Sequence, residues 1–273
     1  MDRFQFCAGL LGSAALAVLP TPALPQAAPP RLLDTPGAID LAGRMRMLSQ
    51  RCTKAYLQWG QAIATDSARA QLQDSIRSCD AHLAALRTFQ PNPAVQAGLP
   101  QLQTLWVQLK ALLADEPSRT GAVALYDANE TLQSAAHYLT VSYSNGTSNQ
   151  LEHLIGLAGR QRMLSQRMAK FFFYRCWGLF EAPADMEMHL SRAHFTTVLG
   201  QFETSRHVSS AAQAAAAKTR QVWEPYQQAL FASKDPTDMR THAERVAAGS
   251  EQVLAATEEL VALLVAQAQG RPV

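Results

Sequence analysis

Two short segments of this 273-residue chain place a glycine three residues before an arginine inside what reads as a long helix: Gly43 with Arg46, and Gly159 with Arg162. Glycine in a helix interior costs about 1 kcal/mol relative to alanine, so each needs a local reason. Close approach of a second backbone or of a ligand is the usual one. Residues three apart share a helix face, which sets each arginine one turn from its glycine. If two such helices cross, the glycines let them approach and the two guanidinium groups converge. Like charges held together in a partly buried place repel, and an anion between them removes the repulsion. Arginine offers a planar fork of donors that suits a planar oxyanion better than lysine does. Met47, Met163, Leu48 and Leu164 would add apolar walls that reduce screening. The competing reading is that arginines along a helix end in solvent or in surface pairs. That is the expectation for Arg44, Arg51, Arg160 and Arg167, while Ser49 and Ser165 can hydrogen-bond back within their own helix.

Other chemistry is hard to assemble. The seven histidines (His82, His137, His153, His189, His194, His207 and His242) form no His-Glu-x-x-His pair and no carboxylate-bridged set, so no metal site is expected. No Gly-x-Ser-x-Gly elbow, phosphate loop or dinucleotide fingerprint is present, and neither serine of the two segments has an evident base beside it. The chain is read as no enzyme, with no cofactor. Cys52 and Cys79 fall on neighbouring predicted helices, where a disulfide and two small buried thiols are equally good readings; Cys176 is left over. Phe171, Phe172, Phe173, Tyr174 and Trp177 read as core packing, with a docking surface as the alternative.

The elements that carry these residues are organised by an internal repeat. Residues 41–54 (LAGRMRMLSQRCTK) and 157–170 (LAGRQRMLSQRMAK) agree at eleven of fourteen positions, 116 residues apart. The similarity fades downstream without vanishing: Leu105-Trp106 answers to Val222-Trp223, and Asn129-Glu130-Thr131-Leu132 to Ser250-Glu251-Gln252-Val253. Each copy reads as four helices. The first set is predicted from about Pro36 to Ile63, from a cap at Asp66 or Ser67 to the Pro91-Asn92-Pro93 stop, from Leu99 to Ala114, and from Thr120 to Tyr143. The second set is predicted from Asn149 to Phe180, then from starts at Pro183, at Ser209 or Ser210, and at Pro236, ending near Gln269. Short connections between long amphipathic helices predict an all-α protein of two tandem up-down four-helix bundles, residues 36–145 and 149–270, with an intrachain pseudo-dimer as one arrangement. Residues 1–23, with Arg3 before the apolar run Phe6 to Leu19, read as a secretory signal peptide, and 24–35 as a proline-rich leader. Hydrophobic residues at 48% and charged residues at 17% exclude general disorder, and a net charge of +2 gives no reason to propose nucleic acid as a partner.

The segments IDLAGRMRMLSQRCTKAY and IGLAGRQRMLSQRMAKFF resemble the signature of the PilJ-type sensor domain, found at the N-terminus of type IV pilus chemotaxis transducers and in nitrate chemoreceptors. The resemblance implies periplasmic four-helix bundles that dimerise through their first helix. In nitrate-sensing members it implies one nitrate at the dimer axis, held by the motif glycine and the arginine three residues on. Carried over, those residues are Gly43 with Arg46 and Gly159 with Arg162. The family's receptors are membrane proteins with one copy of the domain, whereas this chain repeats the motif and has no second apolar run long enough to span. The expectation is a periplasmic binding or sensory protein for a small oxyanion, nitrate or nitrite first, acting on a membrane receptor, sensor kinase or transporter, with a homodimer also allowed. The alternative is a helical adaptor, binding no ligand, that associates with a receptor or a pilus-related complex.

Overall fold

A computed structural model describes residues 32–145 and 149–273, of which Leu33–Val273 belong to one compact unit. The signal peptide expected at 1–23 and most of the leader lie outside the described residues. Eight helices make up the described chain: α1 (Thr35–Gly60), α2 (Thr65–Leu86), α3 (Pro93–Leu112), α4 (Arg119–Ser144), α5 (Gln150–Cys176), α6 (Glu181–Thr204), α7 (Ser210–Leu230) and α8 (Pro236–Ala268). None of them is long and apolar enough to cross a membrane.

Local chemistry accounts for most boundaries. Asp34, Asn92, Ser118, Ser209 and Asp235 each accept a hydrogen bond from a first-turn N–H, and Pro36, Pro93 and Pro236 stand in first turns, where a missing N–H costs nothing. Two starts differ from expectation. Helix α2 follows Ala64 in the left-handed region (φ 45°) with no side-chain cap, so neither Asp66 nor Ser67 serves as one. Helix α3 begins at Pro93 rather than near Leu99: Asn92 caps it through Val95 N–H at 2.9 Å, so Pro91-Asn92-Pro93 opens a helix as well as closing one. Helix α5 stops at Cys176, four residues short of expectation. There Gly178 takes φ 63°, and Leu179 N–H returns to the Tyr174 carbonyl at 2.9 Å.

The packing has a centre. Helix α1 packs on α2, α4 and α5, and α5 packs on α6, α8 and α1; α3 lies on α4 and α7 on α8. The chain is thus two four-helix bundles, α1–α4 and α5–α8, joined along α1 and α5. Both of these helices are covered on nearly every side over their motif segments. Apolar residues fill part of that seam, but Arg46, Ser49, Gln50 and Lys54 on α1 and Arg162, Ser165, Gln166 and Lys170 on α5 are buried there too. Burying charge is costly unless it is paired, so the seam must supply partners. Phe171, Phe172, Phe173 and Tyr174 are wholly buried, and Trp177 packs over Gly60, which is the core role expected of them. Cys52 and Cys79 are buried free thiols in mutual contact. Cys176 is a half-buried free thiol whose pKa burial pushes up to about 12.

Candidate anion site at the crossing of two buried helices

Helices α1 and α5 cross at the motif glycines. A Cβ added to Gly43 would stand 4.0 Å from the Gly159 Cα, 3.3 Å from Arg46 Nη2 and 3.5 Å from Arg162 Nη2; one added to Gly159 would meet Arg162 Nη2 at 3.3 Å and Arg46 Nη2 at 3.5 Å. Both guanidinium groups thus lie against the two glycines at the crossing. All four residues named from the sequence therefore meet in one place, within one chain. Arg46 is 2% exposed and Arg162 0%.

Each arginine reaches one helix of its own bundle and one turn of the facing motif helix. Arg162 donates from Nη1 to Glu258 on α8 at 3.1 Å, and from Nη2 to the Asp40 carboxylate at 2.6 Å and the Asp40 carbonyl at 3.4 Å. Arg46 does the same in outline, from Nη2 to the Gly156 carbonyl at 3.3 Å, with Nη1 3.2 Å from His137 Nδ1 on α4. The pattern is two-fold but the charges are not. Where Arg162 meets two carboxylates, Arg46 meets a backbone carbonyl and an imidazole. The arginine Nε atoms of both remain without a hydrogen-bond partner.

The consequences appear in the acid–base balance. Burial lowers the pKa of Arg46, and repulsion from Arg162 and Arg160 adds to this, bringing it down to about 9. Arg162 suffers the same burial, yet Asp40 and Glu258 outweigh it and raise its pKa. His137 is held below the usual imidazole range by partial burial and by Arg46 and Arg160. Arg46 is a buried cation with no carboxylate in contact among the described residues, and a buried cation of that kind gains most from an added anion.

One turn and more further along the helices lies a second set of buried charges that sequence reasoning did not single out. Lys54 on α1, wholly buried, donates to Ser250 at 3.0 Å and to Glu251 at 2.6 Å on α8. Lys170 on α5, equally buried, donates to Asn129 at 2.9 Å and Glu130 at 2.6 Å on α4. Each lysine thus reaches into the other bundle. Arg51 joins Glu251, and Arg167 joins Glu130, so these two motif arginines link the bundles rather than ending in solvent or in ordinary surface pairs. Burial brings both lysines down to about 8. Burial alone would raise the two glutamates, but Lys170 with Arg167, and Lys54 with Arg51, bring them down to about 2. The signal was present in the repeat: the lysine closes both motif copies, and the residues matched downstream, Asn129-Glu130 and Ser250-Glu251, are its acceptors.

Fold and site together define a class: an all-helical bundle protein whose polar centre is a set of paired and unpaired buried cations. Within that class, residues 33–134, from the start of α1 into α4, match the family model PilJ, described as the N-terminal region of the type IV pili methyl-accepting chemotaxis transducer. Residues 33–134 are therefore a PilJ-type domain, a kind of domain found in sensory transducers. No curated protein and no solved structure matches it.

Proposed function

We propose that this protein is a periplasmic sensory or binding protein for a small oxyanion, nitrate or nitrite first, built from two PilJ-like bundles that supply both halves of one site. The observation that carries this reading is the convergence of Gly43, Arg46, Gly159 and Arg162 at the α1–α5 crossing of a single chain. Two guanidinium groups are brought together there, and of the two only Arg162 meets the carboxylates of Asp40 and Glu258. Arg46 is the principal donor to the anion in this account, and Arg162 the supporting one. Binding would clamp α1 against α5 and so change how the two bundles sit on each other. That movement is the signal a membrane receptor, sensor kinase or transporter would read.

The test is the effect of nitrate on thermal unfolding. A ligand present at a hundred times its Kd stabilises by about 2.7 kcal/mol, which for a chain of this size is roughly 5–10 °C in Tm. Nitrate should raise the Tm of the native protein by that amount and leave Arg46→Ala unmoved. Arg162→Ala is a poorer probe because it takes from Asp40 and Glu258 one of their two arginine partners. A native protein whose Tm does not respond to nitrate or nitrite ends this reading and favours a ligand-free adaptor.

A further inference from the structure

The two sides of the α1–α5 crossing are near copies of each other, and one of them is already filled. On the filled side, Asp40 lies between Arg162 and Arg44: its carboxylate accepts from Arg162 Nη2 at 2.6 Å and, one turn along its own helix, from Arg44 Nε at 3.1 Å. Glu258 bridges the same two arginines, accepting from Arg44 Nη1 at 2.9 Å and Arg162 Nη1 at 3.1 Å. Two guanidinium groups meet two carboxylates.

On the other side the same backbone places hold different residues. Arg46 and Arg160 stand where Arg162 and Arg44 stand, Gly156 replaces Asp40, and His137 replaces Glu258. Arg46 Nη2 donates to the Gly156 carbonyl much as Arg162 Nη2 donates to that of Asp40. Arg160 has His194 Nδ1 at 3.2 Å and, among the described residues, no carboxylate. A Cβ built on Gly156 would meet no atom within 4 Å, so there is room where the Asp40 side chain lies in the other half. One turn further along α5, Arg160 also lines a cleft of about 220 Å³ between α4, α5 and α6, together with Gln133, Ser191, His194 and the ion-paired Arg167 and Glu187.

We propose that the Arg46–Arg160 side is a binding site for a small dicarboxylate, taken from solution to do there what Asp40 and Glu258 do on the opposite side. One carboxylate would sit beside Gly156 between Arg46 and Arg160. The second would lie in the cleft against Arg160 and His194. Two uncompensated guanidinium groups call for two negative charges, and carboxylate is the group the protein itself uses for them. The site adjoins the crossing where nitrate is proposed and shares Arg46 with it, but it rests on Arg160, His137 and Gly156 rather than on Arg162.

Calorimetric titration of the full chain with malonate, and separately with nitrate, tests this. The expected result is one malonate per chain, weakened at least tenfold by Arg160→Gln, a change at a half-exposed position that leaves the fold intact and nitrate binding in place. Gly156→Asp combined with His137→Glu rebuilds the filled side in the other half, and should abolish malonate binding while raising the Tm. No malonate heat in a protein that binds nitrate overturns the inference and spares the nitrate reading. Malonate binding that both variants leave unchanged also overturns it. Malonate heat without nitrate heat supports the inference and sinks nitrate as the ligand.

Discussion

Glu130→Gln removes one carboxylate and nothing else of comparable size. In the native protein that carboxylate accepts from the wholly buried Lys170 at 2.6 Å and from Arg167 at 2.7 Å. Its pKa falls from an ordinary 4.5 to about 2. A gap of that size is worth roughly 3 kcal/mol at neutral pH, at 1.36 kcal/mol per unit. The sign follows from the direction of the shift. A carboxylate whose pKa is lowered by folding contributes fully above its unfolded value, and the contribution is lost as pH falls through the folded one. The variant should therefore lose roughly 3 kcal/mol at pH 7, about 6–12 °C in Tm. The difference between variant and native protein should shrink steadily below about pH 4.5 and nearly close near pH 2. Lys170 would keep only neutral acceptors, Asn129 and the new amide oxygen, and would sit as a poorly compensated buried charge, which makes the loss larger than that of a surface pair. Urea unfolding across that pH range measures it. A loss under 1 kcal/mol at pH 7, or one independent of pH, would refute the claim that the cross-bundle ion pairs hold α4 against α5.

Glu251→Gln should behave the same way, since Lys54 and Arg51 hold that carboxylate at about 2 as well; a clear difference between the two variants in urea would show that the pairs are not equivalent. Gly43→Ala should cost little or even stabilise, because its Cβ meets arginine tips that can shift and the Gly159 Cα only at an ordinary 4.0 Å, while the helix gains about 1 kcal/mol in propensity, whereas Gly60→Ala should destabilise by more than 1 kcal/mol, since its Cβ would overlap the Trp177 ring and stand 2.8 Å from Pro117. Thermal melts of the two variants read the contrast. Oxidation of the touching thiols Cys52 and Cys79 would close a 27-residue span between α1 and α2 and add about 3.5 kcal/mol, so reductant should lower the unfolding midpoint of oxidised protein. Full alkylation of both thiols after folding under oxidising conditions would show that the bridge does not form.

The sequence carried the architecture because its strongest signals are local. Proline at first turns, Asp, Asn or Ser before them, and apolar residues at helical spacing each act within a few residues. Helix starts depart from expectation where one signal serves two elements, as at Pro91-Asn92-Pro93, and where a backbone in the left-handed region at Ala64 replaces a side-chain cap. The Gly-x-x-Arg pairs were legible for a different reason: a glycine inside a helix is locally unfavourable and therefore conspicuous. Lys54 and Lys170 were not, because nothing local marks a lysine as buried, and their acceptors lie on helices remote in sequence, Ser250 and Asn129. The inequality of the two halves was equally hidden. Asp40 answering to Gly156 and Glu258 to His137 look like ordinary drift until the helices bring the members of each pair to equivalent places on the two sides of the crossing, each beside an arginine.

The central claim is that a single chain holds both halves of an anion site at the α1–α5 crossing. The most direct measurement is the stoichiometry of nitrate binding by calorimetry, on protein shown by sedimentation to be monomeric at the concentration used. One nitrate per chain in the monomer is the expected result. Binding of one nitrate per two chains, seen only when the protein is dimeric, would contradict it.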